Sequence, residues 1–153
     1  MLLALCLSLV SNQFRAQPLP LVQDWPKTIE ERTRKELLAR GVREIDFEAM
    51  AEAVRLKTAL ILDARPVDFF QLEHIPEAKS LPVDEYKKHI PQVLQDYPQL
   101  DPIIIYCEGS TCPDSPALAR NLRQAGWLNV SVYTGGIMEW QEKGMPIVQE
   151  EEF

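Results

Sequence analysis

Histidine and cysteine are scarce in this chain, with two and three copies among 153 residues. That scarcity removes two function classes. Zinc takes four ligands, usually in paired clusters, and one close pair of thiols with only His74 and His89 elsewhere does not make such a set, so no metal is expected. Three cysteines are too few for a disulfide framework, and a chain of this length builds its own core. Glycine is sparse as well, at six copies, and "YTGG" at 133–136 lacks the further Gly or Lys of a phosphate cradle. Positive charge is in deficit. A net charge of -7 without a basic stripe argues against nucleic acid as a partner. The amino-terminal apolar run "MLLALCLSLV" is ten residues long, against about 20 for a membrane-spanning helix. It also lacks the leading positive charge and small-x-small site of a signal peptide. It reads as the trailing end of a membrane anchor or, nearly as well, as an arm covering the domain; localisation stays open between an anchored and a soluble protein.

What is present is an ordinary globular composition, 46% hydrophobic and 25% charged. The 12 prolines are scattered as punctuation between periodic segments. "AQPLPLVQDWP" reads as an extended linker or a strap over the domain. "TIEERTRKELLARG" carries a capping box of Thr28 and Glu31, with Gly41 placed to stop a charged helix that reads as solvent-bridging. "VREID" predicts a short strand, and Asp46 caps a helix over "FEAMAEAVRL" with Phe47, Met50, Ala51 and Val54 on one face. "TALILDAR", "PIIIYC" and "NVSVYTGG" are short apolar runs of the kind buried on both faces of a parallel sheet. Between them, "PVDFFQLEHIPEAKSLP" predicts loop and short helix. "VDEYKKHIPQVLQDYP" predicts a helix interrupted at Pro91, "SPALARNLRQAGW" a helix capped by Ser115, and "IMEWQEKG" a last short helix. Trp127 and Trp140 read as core. Strand and helix alternate, which predicts an α/β fold, a mainly parallel sheet with helices on both faces.

In such sheets ligands bind beyond the carboxyl ends of the strands. There lies "IYCEGSTCPDSP" at 105–116, which holds two of the three cysteines. Cys107 ends a strand, and the loop feeds a helix. A curled loop and a helix amino terminus together offer N–H groups and partial positive charge to an anionic sulfur, which favours a reactive thiolate. Glu108 and Asp114 oppose this. Cys6, inside the apolar run, reads as inert.

From about Glu44 to Val148 the chain resembles a rhodanese (sulfurtransferase) domain. The pieces come in the family's order: "LDAR" at 62–65, "HIPEA" at 74–78, "LP" at 81–82, "YC" at 106–107, Ser115 opening "ALARNLRQAG", "NVSVYTGG" at 129–136, Trp140 and "GMPIV" at 144–148. The resemblance implies the rhodanese α/β fold, with Cys107 as the sulfur-carrying nucleophile and Glu108, Gly109, Ser110, Thr111, Pro113, Asp114 and Ser115 as the loop around substrate. It further implies that Asp63 and Arg65 form a buried paired network and that His74 ties its loop by a hydrogen bond. The domains then divide as an apolar segment and proline-rich linker over 1–27, a charged helix over 28–41, the rhodanese-like domain over 42–150 and an acidic tail over 151–153.

This chain departs from the family pattern in four places. Asp114 replaces the basic residue usual before the serine, the loop is longer, Glu77 stands where glycine is usual, and Cys112 adds a second thiol. Residues 108–114 contain no Arg or Lys to grip phosphate, which argues against the activity of the related phosphatases. Cys112 reads as a resolving thiol that attacks a persulfide or sulfenate on Cys107, or as packing. The expected function is sulfur transfer from a small sulfane-sulfur donor to a thiol acceptor, with no cofactor. A redox partner protein and membrane association through the amino end are further expectations. The alternatives are a thiol redox protein cycling Cys107 and Cys112, and a non-catalytic binding module.

Overall fold

A computed structural model of the chain describes residues 25–39, 41–95, 97 and 102–149. In chain order the elements are α1 (Trp25–Ala39), β1 (Arg43–Ile45), α2 (Phe47–Leu56), β2 (Leu60–Asp63), α3 (Val67–Leu72), β3 (Ala78–Ser80), α4 (Tyr86–Leu94), β4 (Ile103–Tyr106), α5 (Asp114–Gln124), β5 (Val130–Tyr133) and α6 (Gly136–Glu142). The five strands form one sheet in the order β1-β5-β4-β2-β3, and every pairing is parallel. This is the α/β architecture that the alternation of runs predicts.

The three central strands are β5, β4 and β2, and all their residues are buried. Side chains alternate between faces along a strand, which splits the core in two. Leu60, Leu62, Ile103, Ile105, Val130 and Val132 pack with Leu37 of α1 and with Leu118, Ala119 and Leu122 of α5. Ile61, Ile104, Tyr106 and Tyr133 pack on the other face with Met50 of α2 and with Ile137 and Trp140 of α6. Each fully buried aliphatic side chain contributes about 1.5–3 kcal/mol, so the continuous runs of the sequence are the main source of stability. The strands end level: Asp63 pairs in register with Tyr106, and Tyr106 with Tyr133. Ala64, Cys107 and Thr134 follow as the rim of the sheet.

Local signals hold at several ends and fail at others. Asp46 caps α2 by accepting from the Ala49 amide at 3.0 Å. Gly41, with φ of 69°, turns the chain after α1, where the Gly41 and Val42 amides donate to Leu38 and Leu37. The capping box at Thr28 does not mark the start of α1, because the helix begins at Trp25 and Thr28 lies within it. Pro26 is tolerated there since a first-turn N–H has no partner inside the helix. Nor is α1 only a solvent-bridging helix, since Leu37 is buried in the core. Pro91 does not interrupt α4, which runs through it. β3 is an unexpected strand; its three residues lie at the sheet edge and pair only with β2. Trp140 is fully buried, but Trp127 only packs partly against the core.

The apolar segment, Cys6, most of the proline-rich linker and the acidic tail lie outside the described residues. Among the described residues, no helix is long and apolar enough to cross a membrane.

Candidate active site

Cys107 follows β4 and continues the face of Ile103 and Ile105, so its side chain points towards α5. It is 1% exposed. The sequence reading makes Ser115 the cap of α5, and the structure corrects this. The helix starts at Asp114 with Pro113 at the cap position and no side-chain cap bond. Ser115 therefore sits in the first turn, buried, with Oγ 3.1 Å from Cys107 Sγ. The hydroxyl serves the sulfur instead of the helix end. Together with the partial positive charge at the start of α5, it favours negative charge on Sγ.

The loop between them is held from outside. The amides of Ile137 and Met138 donate to the carbonyls of Cys107 and Glu108 at 3.0 and 3.1 Å. This close docking depends on Gly136, whose φ is 63°. A Cβ there would lie 2.5 Å from the Glu108 oxygen and 2.6 Å from the Cys107 oxygen. Within the loop, the Cys112 amide donates to Gly109 at 3.0 Å and closes a turn. That amide faces a carbonyl, so it is not part of an anion nest. Ser110, Thr111 and Pro113 are exposed along the rim.

Cys112 folds back over Cys107. The two sulfurs form a disulfide, with Cα atoms 6.4 Å apart, inside the span that a disulfide bridges. Cys112 is only partly buried, against 1% exposure for Cys107.

A second layer joins the neighbouring loops. Arg65, 4% exposed, donates through Nε to both oxygens of Asp63 at 3.1 Å. Its Nη2 donates to Asp63 at 2.8 Å and to the Glu73 carbonyl at 2.6 Å, and Nη1 lies 3.4 Å from Glu108. Burial opposes the Arg65 charge, but the hydrogen bond and charge of Asp63 outweigh it and raise the guanidinium pKa. Tyr106 accepts the Ile75 amide at 3.1 Å, and burial, then the Asp63 charge, pushes its phenol up. His74 stacks on Phe70 at 4.0 Å and bonds its carbonyl through Nδ1 at 2.8 Å. Its backbone exchanges two 2.9 Å bonds with Val148. Burial, and after it the charge of Asp84, raises the pKa of Asp114.

Cys107, Cys112, Ser115, Glu108, Arg65 and Asp63 thus form one connected group, while His74 works further out. Sequence reasoning missed Gly136, the α6 amides and Tyr106. The double glycine of "YTGG" is a signal for the first two, since glycine at the start of a helix permits close backbone approach, and "YC" holds the third. Among the described residues, no cluster of three or more His, Cys, Asp or Glu is placed to hold a metal ion.

A family model described as the rhodanese-like domain matches residues 46–143. An HTH-type transcriptional regulator of Mycobacterium tuberculosis is 31% identical over 105 residues, 67% of this chain and 44% of the regulator. The chain thus spans less than half the length of that relative. A sulfurtransferase of Allochromatium vinosum is 30% identical over 111 residues, 72% of this chain and 98% of the relative. The crystal structure of a thiosulfate sulfurtransferase from Pseudomonas aeruginosa shares the fold with a TM-score of 0.62 at 20% identity, over 84% of this chain and 24% of that one.

Proposed function

The chain belongs to the rhodanese-like domain family, and from that membership we propose that it is a sulfurtransferase carrying sulfane sulfur as a persulfide on Cys107. The observation that carries this is the seat of Cys107: at the end of central strand β4, facing the start of α5, with the Ser115 hydroxyl 3.1 Å from Sγ. The likeness to a sulfurtransferase over nearly that relative's whole length supports the activity class.

The cycle starts from the reduced loop. The Cys107 thiolate attacks the sulfane sulfur of a donor such as thiosulfate or a persulfide. A Cys107–sulfur bond forms, the donor's own bond to that sulfur breaks, and its electron pair leaves as sulfite or thiolate. An acceptor (cyanide, a small thiol or a protein thiol) then attacks the outer sulfur, and Cys107 departs as thiolate. Cys112 supplies a second exit. Its thiolate attacks Cys107 Sγ, expels hydrosulfide and leaves the disulfide, which two thiol equivalents reduce. The 6.4 Å Cα separation supports that closure. Peptide mass spectrometry after incubation with thiosulfate tests the proposal: the reading requires one added sulfur on Cys107.

A purely redox cycle of the two thiols is the second reading, favoured by the same disulfide. It differs in gaining no sulfur.

A further inference from the structure

The two sulfurs of the closed loop are not equivalent. Cys107 is 1% exposed and belongs to the buried core cluster that holds Ile105 and Leu118. Cys112 is partly exposed in a loop whose neighbours Thr111 and Pro113 are exposed. Thiol–disulfide exchange needs a thiolate to approach one sulfur while the other leaves, so access and the stability of the departing thiolate decide which is which. Both point the same way here. In the disulfide Cys107 Sγ carries no proton, so Ser115 is the donor of the 3.1 Å contact. That hydroxyl and the start of α5 remain beside Sγ as it departs with the electron pair.

We propose that Cys112 is the sulfur at which an incoming thiol opens the oxidised loop, and that Cys107 is the leaving group. A thiolate RS⁻ forms an RS–Cys112 bond, the Cys107–Cys112 bond breaks, and its electron pair stays on Cys107. A second thiolate then attacks the R-bearing sulfur, releasing RSSR and the Cys112 thiolate. Two thiols are oxidised and one disulfide is reduced. The loop therefore divides its work by sulfur: donors meet Cys107, reductants meet Cys112. Cys107 is also regenerated first, as the thiolate needed for loading. This deepens the reading above and rests on its disulfide stage.

The test opens the oxidised full chain with limiting glutathione, quenches with acid, alkylates free thiols and cleaves after Glu108, which puts Cys107 and Cys112 on separate peptides. A parallel run uses sulfite, whose S-sulfonate reports the attacked sulfur. The expected result is an adduct on Cys112 and alkylation on Cys107, in excess of about tenfold over the reverse pattern. Ser115→Ala should keep that pattern but slow opening about fivefold, the size of one hydrogen bond. An adduct on Cys107, an even split, or no opening by either reagent overturns the assignment. An unchanged opening rate in Ser115→Ala overturns the leaving-group role. The readout is an adduct position and needs no sulfur transfer, so a failure to load persulfide is a separate result.

Discussion

The amide of Ile137 donates to the carbonyl of Cys107 at 3.0 Å, so α6 holds the peptide of Cys107 in place. Gly136 makes that approach possible, in a left-handed conformation with two carbonyls where a Cβ would sit. Gly136→Ala should therefore lower stability by about 2–3 kcal/mol and slow sulfur loading. Denaturant unfolding checks the first part, and a loss below about 0.5 kcal/mol would count against the docking.

Arg65 should be a stability residue before it is anything else. It is paired with a carboxylate, Asp63, that is fully buried. Arg65→Leu leaves that charge without its partner, at a cost of about 3–5 kcal/mol. A well-folded variant with unchanged midpoint would show that Asp63 finds other support.

Asp114 supplies a pH dependence. Burial, then Asp84, raises its pKa in the folded protein, so the folded state holds the proton more tightly than the unfolded one. Its contribution is fully present below the ordinary aspartate value and is lost as pH rises through the raised value. Asp114→Asn should melt higher than wild type at neutral pH, and the two curves should converge below the ordinary aspartate value. An advantage that grows in acid would reverse the sign.

Much of this was legible in the chain, for physical reasons. The runs around Leu60–Asp63, Ile103–Tyr106 and Val130–Tyr133 announce buried strands because all four residues of each are covered. Asp46 announces its helix because the cap is a local bond. β3 was silent: "AKS" has no apolar run and exists through pairing with β2. The Asp63–Arg65 pair spans two residues, whereas Arg65 reaches Glu108 across 43, a contact only the folded sheet creates. Glu77 was not legible as a turn residue: it sits at φ 67°, the left-handed region that favours glycine, and bonds Lys57 at 3.1 Å across the surface.

The charge around the loop should select the donor. Residues 108–114 hold no cation, Arg65 is turned to Asp63, Glu73 and Glu108, and Asp84 acts on Asp114. A thiosulfate dianion approaches against this field, so raising ionic strength from about 0.01 to about 1 M should speed loading severalfold by screening. Stopped-flow loading rates that fall with salt would contradict it.

The central claim is that Cys107 carries the sulfur. Reduced wild type, Cys107→Ser and Cys112→Ser are each incubated with thiosulfate, and the peptides holding residues 107 and 112 are weighed. The account predicts one added sulfur on Cys107 in wild type, none in Cys107→Ser, and the same addition, held longer, in Cys112→Ser. A sulfur found on Cys112 instead, or no sulfur in any of the three, contradicts it.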